Sequence, residues 1–151
     1  MRVRVYVGAL LVVAWSGSLA VAQSQKVTTT EQLDKVMKGV GPAFRNANKA
    51  VNSAAWADAK TELAKARAGV LDSQSFWIEY KKDDAVTLNK AALEKIDALD
   101  KLISSATPDA AAAGAALKEV GQSCAACHKQ YRAQDADNNY ILKPGSVEGV
   151  K

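Results

Sequence analysis

The chain has 151 residues, of which 48% are hydrophobic and 24% are charged, and its formal net charge is +4 at neutral pH. This length and composition favour one globular domain with a single hydrophobic core. Two of the positive charges come from Arg2 and Arg4 in a segment that we expect to be removed, so the basic balance does not indicate nucleic-acid binding.

The first 22 residues have the pattern of a secretory signal peptide. Arg2 and Arg4 give a positive start, residues 5–15 are apolar, and small residues lead to Ala20-Val21-Ala22. A membrane anchor is the alternative, but the apolar stretch is shorter than the roughly 20 residues that span a bilayer. We therefore predict cleavage after Ala22, export to the periplasm, and no stable membrane span afterwards.

Residues 30–52 are predicted to form the first helix. Thr28 is the expected N-cap of a capping box with Glu31. Gly41-Pro42 interrupts the helix, and the proline is expected to kink it without necessarily ending it. Apolar side chains recur at helical spacing along the segment, at Leu33, Val36, Met37, Val40, Phe44, Ala47 and Val51.

Two further helices are predicted in the middle of the chain. Residues 54–71 are rich in good helix formers, and residues 87–105 repeat apolar side chains at helical spacing. Residues 72–86 break the pattern but contain Phe76 and Trp77, which are too apolar to be left in water. We expect this segment to be an ordered connection.

The fourth helix is predicted over residues 109–132, with Thr107 as N-cap and Pro108 as its first residue. With no strand pattern in the chain, residues 23–132 are expected to form an all-α, antiparallel four-helix bundle. Residues 133–151 are predicted to be a polar, partly ordered tail, with 140–142 as a candidate anchor on the bundle.

The most specific chemical signal is the pentapeptide 124–128, Cys-Ala-Ala-Cys-His. Cys-x-x-Cys-His is the attachment sequence of a c-type haem. Cys124 and Cys127 share one side of a helix, and His128 lies on the same broad face. We therefore predict one haem c bound covalently to both thiols, with His128 as the proximal ligand of its iron.

Other interpretations of the pentapeptide are weaker. A structural zinc site needs about four ligands, whereas the whole chain has two cysteines and one histidine. A redox dithiol would follow a βαβ pattern, and none precedes the motif. Haem is attached outside the bacterial cytoplasm, so the motif and the predicted signal peptide support each other.

Residues 30–132 resemble the class II cytochromes c, the cytochrome c-prime family. That family consists of exported four-helix bundles with the haem motif near the C-terminus, and its typical members end soon after the motif. The resemblance therefore implies the same fold and cofactor here, with a longer tail. It rests most strongly on Val120-Gly121, the motif 124–128 and Tyr131-Arg132, and more weakly on Val36-Met37-Lys38, Gly41 and Phe76-Trp77.

Met37 bears on the point at which this family divides, the second axial position of the iron. Typical members leave that position open and bind nitric oxide or carbon monoxide, whereas a low-spin branch places a methionine there and transfers electrons. Met37 is the only methionine outside the predicted signal, and it lies in the part of helix one that the family turns toward the haem. The resemblance thus implies a non-enzymatic electron carrier with Met37 as distal iron ligand and with unidentified redox partner proteins.

Two alternatives stay open at this point. A methionine also fills irregular gaps in a core, and with Met37 only packing, the protein would be a five-coordinate gas binder. Weak peroxidase activity ranks last, because the only histidine is already assigned to the proximal side.

The resemblance also bears on the residues around the haem. The family's arginine near a propionate is replaced by Leu33, with Lys38, Arg45 and Lys49 as candidate substitutes. Arg132 matches the family's basic residue beside the proximal imidazole, although it could equally complement the helix dipole. Members of the family often dimerise through their first two helices, so a homodimer is a further expected partner.

Overall fold

The computed structural model describes residues 25–149, which form four helices and one small sheet. The helices are α1 (Thr30–Asn52), α2 (Trp56–Glu79), α3 (Asp83–Ile103) and α4 (Ala110–Tyr131), and the strands are β1 (Arg132–Gln134) and β2 (Tyr140–Leu142). The prediction of an all-α chain with four helices is confirmed, with a two-stranded antiparallel hairpin added. The expected signal peptide, 1–22, lies outside the described residues.

The short connections place consecutive helices side by side in opposite directions. α1 packs on α2, α2 on α3 and α3 on α4, while α1 also contacts α4 and closes the arrangement. None of the helices within residues 25–149 combines the length and the hydropathy that crossing a bilayer requires.

The predicted bounds of α1 are confirmed, but its N-cap is Thr29 and not Thr28. Thr29 Oγ1 accepts a hydrogen bond from the Gln32 amide at 3.2 Å. Gln32 Oε1 in turn accepts from the amides of Thr28 at 2.8 Å and Thr29 at 3.3 Å. The capping box is shifted by one residue because Gln32, not Glu31, occupies the position that reaches back to the cap.

The prediction that residues 72–86 form a connection is wrong, because α2 continues to Glu79 and α3 starts at Asp83. The apparent helix breakers are satisfied inside the helix, since Ser73 Oγ donates to Val70 O at 2.7 Å and Ser75 Oγ to Asp72 O at 2.9 Å. Phe76 and Trp77 continue the buried face of α2. The turn occupies 80–82.

α4 starts later than predicted, at Ala110, and its N-cap is Asp109 and not Thr107. Asp109 Oδ1 accepts a hydrogen bond from the Ala112 amide at 2.9 Å. A carboxylate at this position satisfies a free amide and complements the positive end of the helix dipole. Pro108 therefore precedes the helix and does not open it.

The hydrophobic core consists of two clusters. The first joins all four helices and contains the fully buried Ala47, Leu63, Ile96, Leu99 and Val120. The second lies at the end of the bundle where α1 begins and α4 ends, and Met37 and Cys127 pack against it. Its buried members are Val27, Leu33, Phe76, Trp77, Ala85, Tyr131 and Val147.

Residues 132–149, here called the C-terminal strap, fold back onto the second cluster. The strands pair between Arg132 and Leu142 at one end and between Gln134 and Tyr140 at the other. The Lys143 amide donates to Tyr131 O at 2.8 Å, and Val147 is only 6% exposed. The tail is thus ordered as far as residue 149, and Val147 joins the predicted segment 140–142 in holding it to the bundle.

Candidate functional site

One cavity of about 540 Å³ collects the four residues predicted to hold the cofactor. Met37 enters from α1, whereas Cys124, Cys127 and His128 enter from the last turns of α4. Small-molecule and cofactor sites typically measure about 300–1,000 Å³. The sequence places these two groups of residues far apart, and the packing of α1 against α4 brings them to one space.

Both cysteines are free, half-buried thiols. Burial raises the pKa of Cys124, and burial together with the charges of Cys124 and Asp84 raises the pKa of Cys127 to about 11. Reactive dithiols and zinc-binding cysteines have a lowered pKa, since the thiolate is the reactive form. The environment of this pair therefore disfavours the thiolate form that a redox dithiol or a zinc site uses.

His128 is half-buried, and its pKa is lowered by burial and by the positive charge of Arg132. Its imidazole is therefore neutral at pH 7, which is the form that coordinates a metal ion. The Arg132 backbone amide donates to His128 O as the cap of α4. Arg132 thus lowers the pKa of the imidazole through its charge, and its backbone amide closes the helix.

A second cavity of about 510 Å³ adjoins the first. It is lined by Ala125 and Lys129 of α4 and by strand β1. The two cavities share His128, Cys124 and three further residues, Phe44, Arg132 and Tyr140. His128 therefore belongs to the boundary between two open spaces.

The residues of α1 near Met37 differ in whether they bring charge to the cavity. Leu33 is buried in the second cluster and lines the cavity, so this position contributes apolar surface and no charge. Lys38 and Arg45 line the cavity, whereas Lys49 is not among its lining residues. Lys38 Nζ forms an ion pair with Asp34 Oδ2 at 2.6 Å, which leaves Arg45 as the better placed substitute.

Aromatic side chains of α2 and α4 form one wall of the cavity. The ring centroids of Trp77 and Tyr131 are 4.8 Å apart, and Phe76 packs edge-on against Trp77 at 5.0 Å. Tyr131 OH donates to Asp84 Oδ2 at 2.5 Å, and Gln130 Nε2 donates to the same oxygen at 2.7 Å. The sequence predicted buried aromatics, but it gave no signal for the contact with Asp84.

Sequence reasoning also missed a buried polar pair that lines the cavity, Ser73 and Asn89. Asn89 Nδ2 donates to Val70 O and to Ser73 Oγ, both at 2.9 Å. Its Oδ1 atom is buried and has no hydrogen-bond partner among residues 25–149. An Asn on a predicted amphipathic helix looks like a surface residue, so only its tertiary contacts reveal it.

The wall of the cavity nearest the chain's end consists of strap residues 138–142. These residues were predicted to belong to a polar tail with a candidate anchor, and nothing in their spacing indicated that they close a cavity. Tyr140 remains 55% exposed, and its ring centroid lies 4.0 Å from the Arg132 guanidinium carbon. This cation–π contact joins β1 to β2 within the strap, directly after the end of α4.

Within residues 25–149, no group of three or more His, Cys, Asp or Glu side chains is placed to hold a metal ion. A haem iron needs only one or two protein ligands, because the porphyrin supplies the others. Comparison of the chain with protein-family models, with curated proteins and with solved structures finds no match. The functional argument therefore depends on the residues of the site.

Proposed function

We propose that this chain is an exported c-type cytochrome that carries single electrons through one haem attached to Cys124 and Cys127. The observation that supports this most is the placement of Met37 and His128 on one cavity with both thiols. An imidazole and a thioether are the two axial ligands of many electron-transfer haems. The residues therefore fit the cofactor in number, kind and location.

The lining of the cavity also fits a porphyrin. Trp77, Leu88 and Ala92 present apolar surface to the cavity. Lys38 and Arg45 supply positive charge where α1 lines it. An apolar space with a few charged groups at its edge matches a planar apolar ring that carries carboxylates. When bound, haem supplies an iron that alternates between the ferrous and ferric states.

The protein residues would hold that iron in a fixed environment. Thioether bonds to Cys124 and Cys127 of α4 would retain the cofactor in an open compartment, and His128 and Met37 would hold its iron from two helices that pack against each other. Ligands on packed helices would be expected to move little between oxidation states. Burial by Trp77 and Tyr131 excludes water and thereby influences the potential. Electrons would be exchanged with redox partner proteins in the periplasm.

A second function, binding of nitric oxide or carbon monoxide, remains the alternative. It is favoured by the apolar surroundings of Met37, which packs against the second cluster beside Leu33. A methionine in such a cluster can contribute by packing alone. The two functions differ only in whether the sulfur of Met37 occupies the iron's sixth position.

Two substitutions at Met37 separate these functions. Met37→Leu keeps the side-chain volume and removes the sulfur, whereas Met37→Ala removes both. We expect the unmutated protein to be low-spin in both oxidation states and both variants to be high-spin, as measured by absorption spectra of the purified ferric and ferrous protein.

The controls for this experiment test the cofactor itself. The colour of the unmutated protein and of both variants should remain with the polypeptide after extraction with acidified organic solvent, and the mass should exceed that of the bare chain. If the unmutated protein is high-spin and Met37→Leu leaves its spectrum unchanged, Met37 is a packing residue and gas binding becomes the better function. If all colour is extracted, the haem assignment is wrong.

A further inference from the structure

The C-terminal strap lines part of the cavity. This location suggests a role for the strap beyond the proposed function. Five consecutive residues, 138–142, line the space that Met37 and His128 share. The bundle alone already supplies the thiols and both candidate axial ligands. Any role of the strap at this site must therefore be to exclude other molecules from the cavity or to hold residues of the site in place.

Two features fix the strap: one attaches it to the bundle, and the other is a turn within the strap. One is the buried Val147, which packs in the same cluster as Leu33 and Trp77, with Leu142 half-buried beside it. Leu33 is one helical turn before Met37 on α1, so this attachment lies next to the methionine.

The other feature is a turn within the strap that Asp135 organises. Its Oδ1 accepts from the amides of Asp137 at 2.9 Å and Asn139 at 2.8 Å, and its Oδ2 accepts from Asn139 Nδ2 at 3.1 Å. These bonds lower the pKa of Asp135. A carboxylate that satisfies several amide donors fixes the hairpin and so keeps residues 138–142 in register.

From this arrangement we infer that the strap is a specificity-determining segment that closes the cavity shared by Met37 and His128 to small exogenous ligands. It selects electron transfer over gas binding by covering this cavity and by holding, through the Val147 cluster, the part of α1 that carries Met37. This inference rests on the proposed function, because it requires a haem iron in the cavity. The exposed Tyr140 and Ile141 mark the outer surface of the strap.

Two variants loosen the strap without altering the four helices. Val147→Asp places a charge in the buried cluster and opposes docking. Asp135→Ala removes the acceptors of the turn at an exposed position. Their matched controls are Glu148→Gln, at the exposed neighbour of Val147, and Asp137→Ala, which leaves the Asp137 backbone donor in place.

Carbon monoxide is the probe, added to the reduced protein in a stopped-flow instrument. We expect both strap variants to bind it about tenfold faster than the unmutated protein, because uptake scales with the fraction of molecules in which the strap is open. Both controls should bind at the unmutated rate. Hydrogen exchange of the Lys143 amide, which donates to Tyr131 O, reports opening independently of the ligand.

The outcomes distinguish this inference from the proposed function. A low-spin, slowly binding protein whose opened strap variants keep the same rate overturns the role of the strap and leaves electron transfer in place. A strap that stays closed in both variants overturns the attachments argued above. An unmutated protein that is high-spin and binds carbon monoxide rapidly overturns both the strap's role and the proposed function.

Discussion

Tyr131 joins the aromatic wall of the cavity to a charged residue at the start of α3. Burial and the Asp84 carboxylate raise the pKa of Tyr131, so its phenol stays protonated and donates to Asp84. The same hydrogen bond lowers the pKa of Asp84. A lowered pKa in the folded state means that the ionised carboxylate stabilises the fold.

The pH dependence of this contribution has a definite direction. It is fully present above the unfolded pKa of an aspartate, about 3.9, and it is lost as the pH falls through the lower folded value. We expect Asp84→Asn to be less stable than the unmutated protein at pH 7, with a difference that shrinks on acidification below about pH 4. Urea unfolding at a series of pH values measures this.

Asp83→Asn provides the matched control for this prediction. Asp83 lies in the same first turn of α3. Its substitution therefore also removes one negative charge from the N-terminal end of the helix, where such a charge complements the helix dipole. Asp83 makes no side-chain contact with Tyr131 among the hydrogen bonds of the described residues. If both variants lost equal stability, the dipole and not the hydrogen bond to Tyr131 would explain the effect.

At the scale of the elements, Gly69 allows α1 and α2 to pack closely. A Cβ atom at this position would collide with Val40 Cγ2. We expect Gly69→Ala to lower the free energy of unfolding by about 1–3 kcal/mol, because overpacking forces the helices apart. Urea unfolding followed by circular dichroism at 222 nm gives the value.

Gly39 on α1 is the corresponding control, since a Cβ there would meet nothing within 4 Å. Gly39→Ala should raise the free energy of unfolding by about 0.5–1 kcal/mol through helix propensity alone. Stabilisation by both substitutions would show that α1 and α2 are not held at close distance through Gly69.

The bounds of the helices show where sequence periodicity succeeds and where it fails. α1 was predicted at its correct length because its apolar repeat is strong and Pro42 does not end it. The last turns of α2 were missed because Asp72-Ser73 interrupts the apolar repeat, although the Ser73 hydroxyl bonds to a carbonyl of its own helix. Local polar residues are ambiguous until their partners are known.

The residues of the candidate site also differ in whether the local sequence or only tertiary contacts identify them. The residues 124–128 carry their chemistry in five consecutive positions, so the sequence alone predicts them. Asn89 and the strap depend on contacts that no local pattern encodes, such as Val147 with the cluster around Leu33. Met37 lies between these cases, since its uniqueness and its resemblance to a family motif singled it out before the structure placed it on the same cavity as His128.

At the scale of the whole molecule, the bundle encloses a large cavity that the cofactor is proposed to fill. A chain with Cys124→Ala and Cys127→Ala should keep its four helices but lose stability. The loss is expected to be at least that of one large-to-small core substitution, about 2–5 kcal/mol, because the lining side chains lose their packing partners. Urea unfolding of the loaded and unloaded chains compares them.

The unmutated chain produced in the cytoplasm, where haem is not attached, serves as the control for this prediction. It should be as unstable as the double variant, which separates loss of the cofactor from loss of the two thiols. A loaded protein no more stable than these two chains would contradict a haem packed inside the bundle.

The two ends of the described chain meet at one end of the bundle, since Val27 and Val147 belong to the same buried cluster. A purification tag fused behind the strap would therefore begin a few residues from the buried Val147 and strain the segment that lines the cavity. For voltammetry, the protein is better attached to the electrode through a linker at residues 53–55 or 104–109. Those two turns lie at the opposite end of an antiparallel bundle, so immobilisation there leaves the cavity facing the solution.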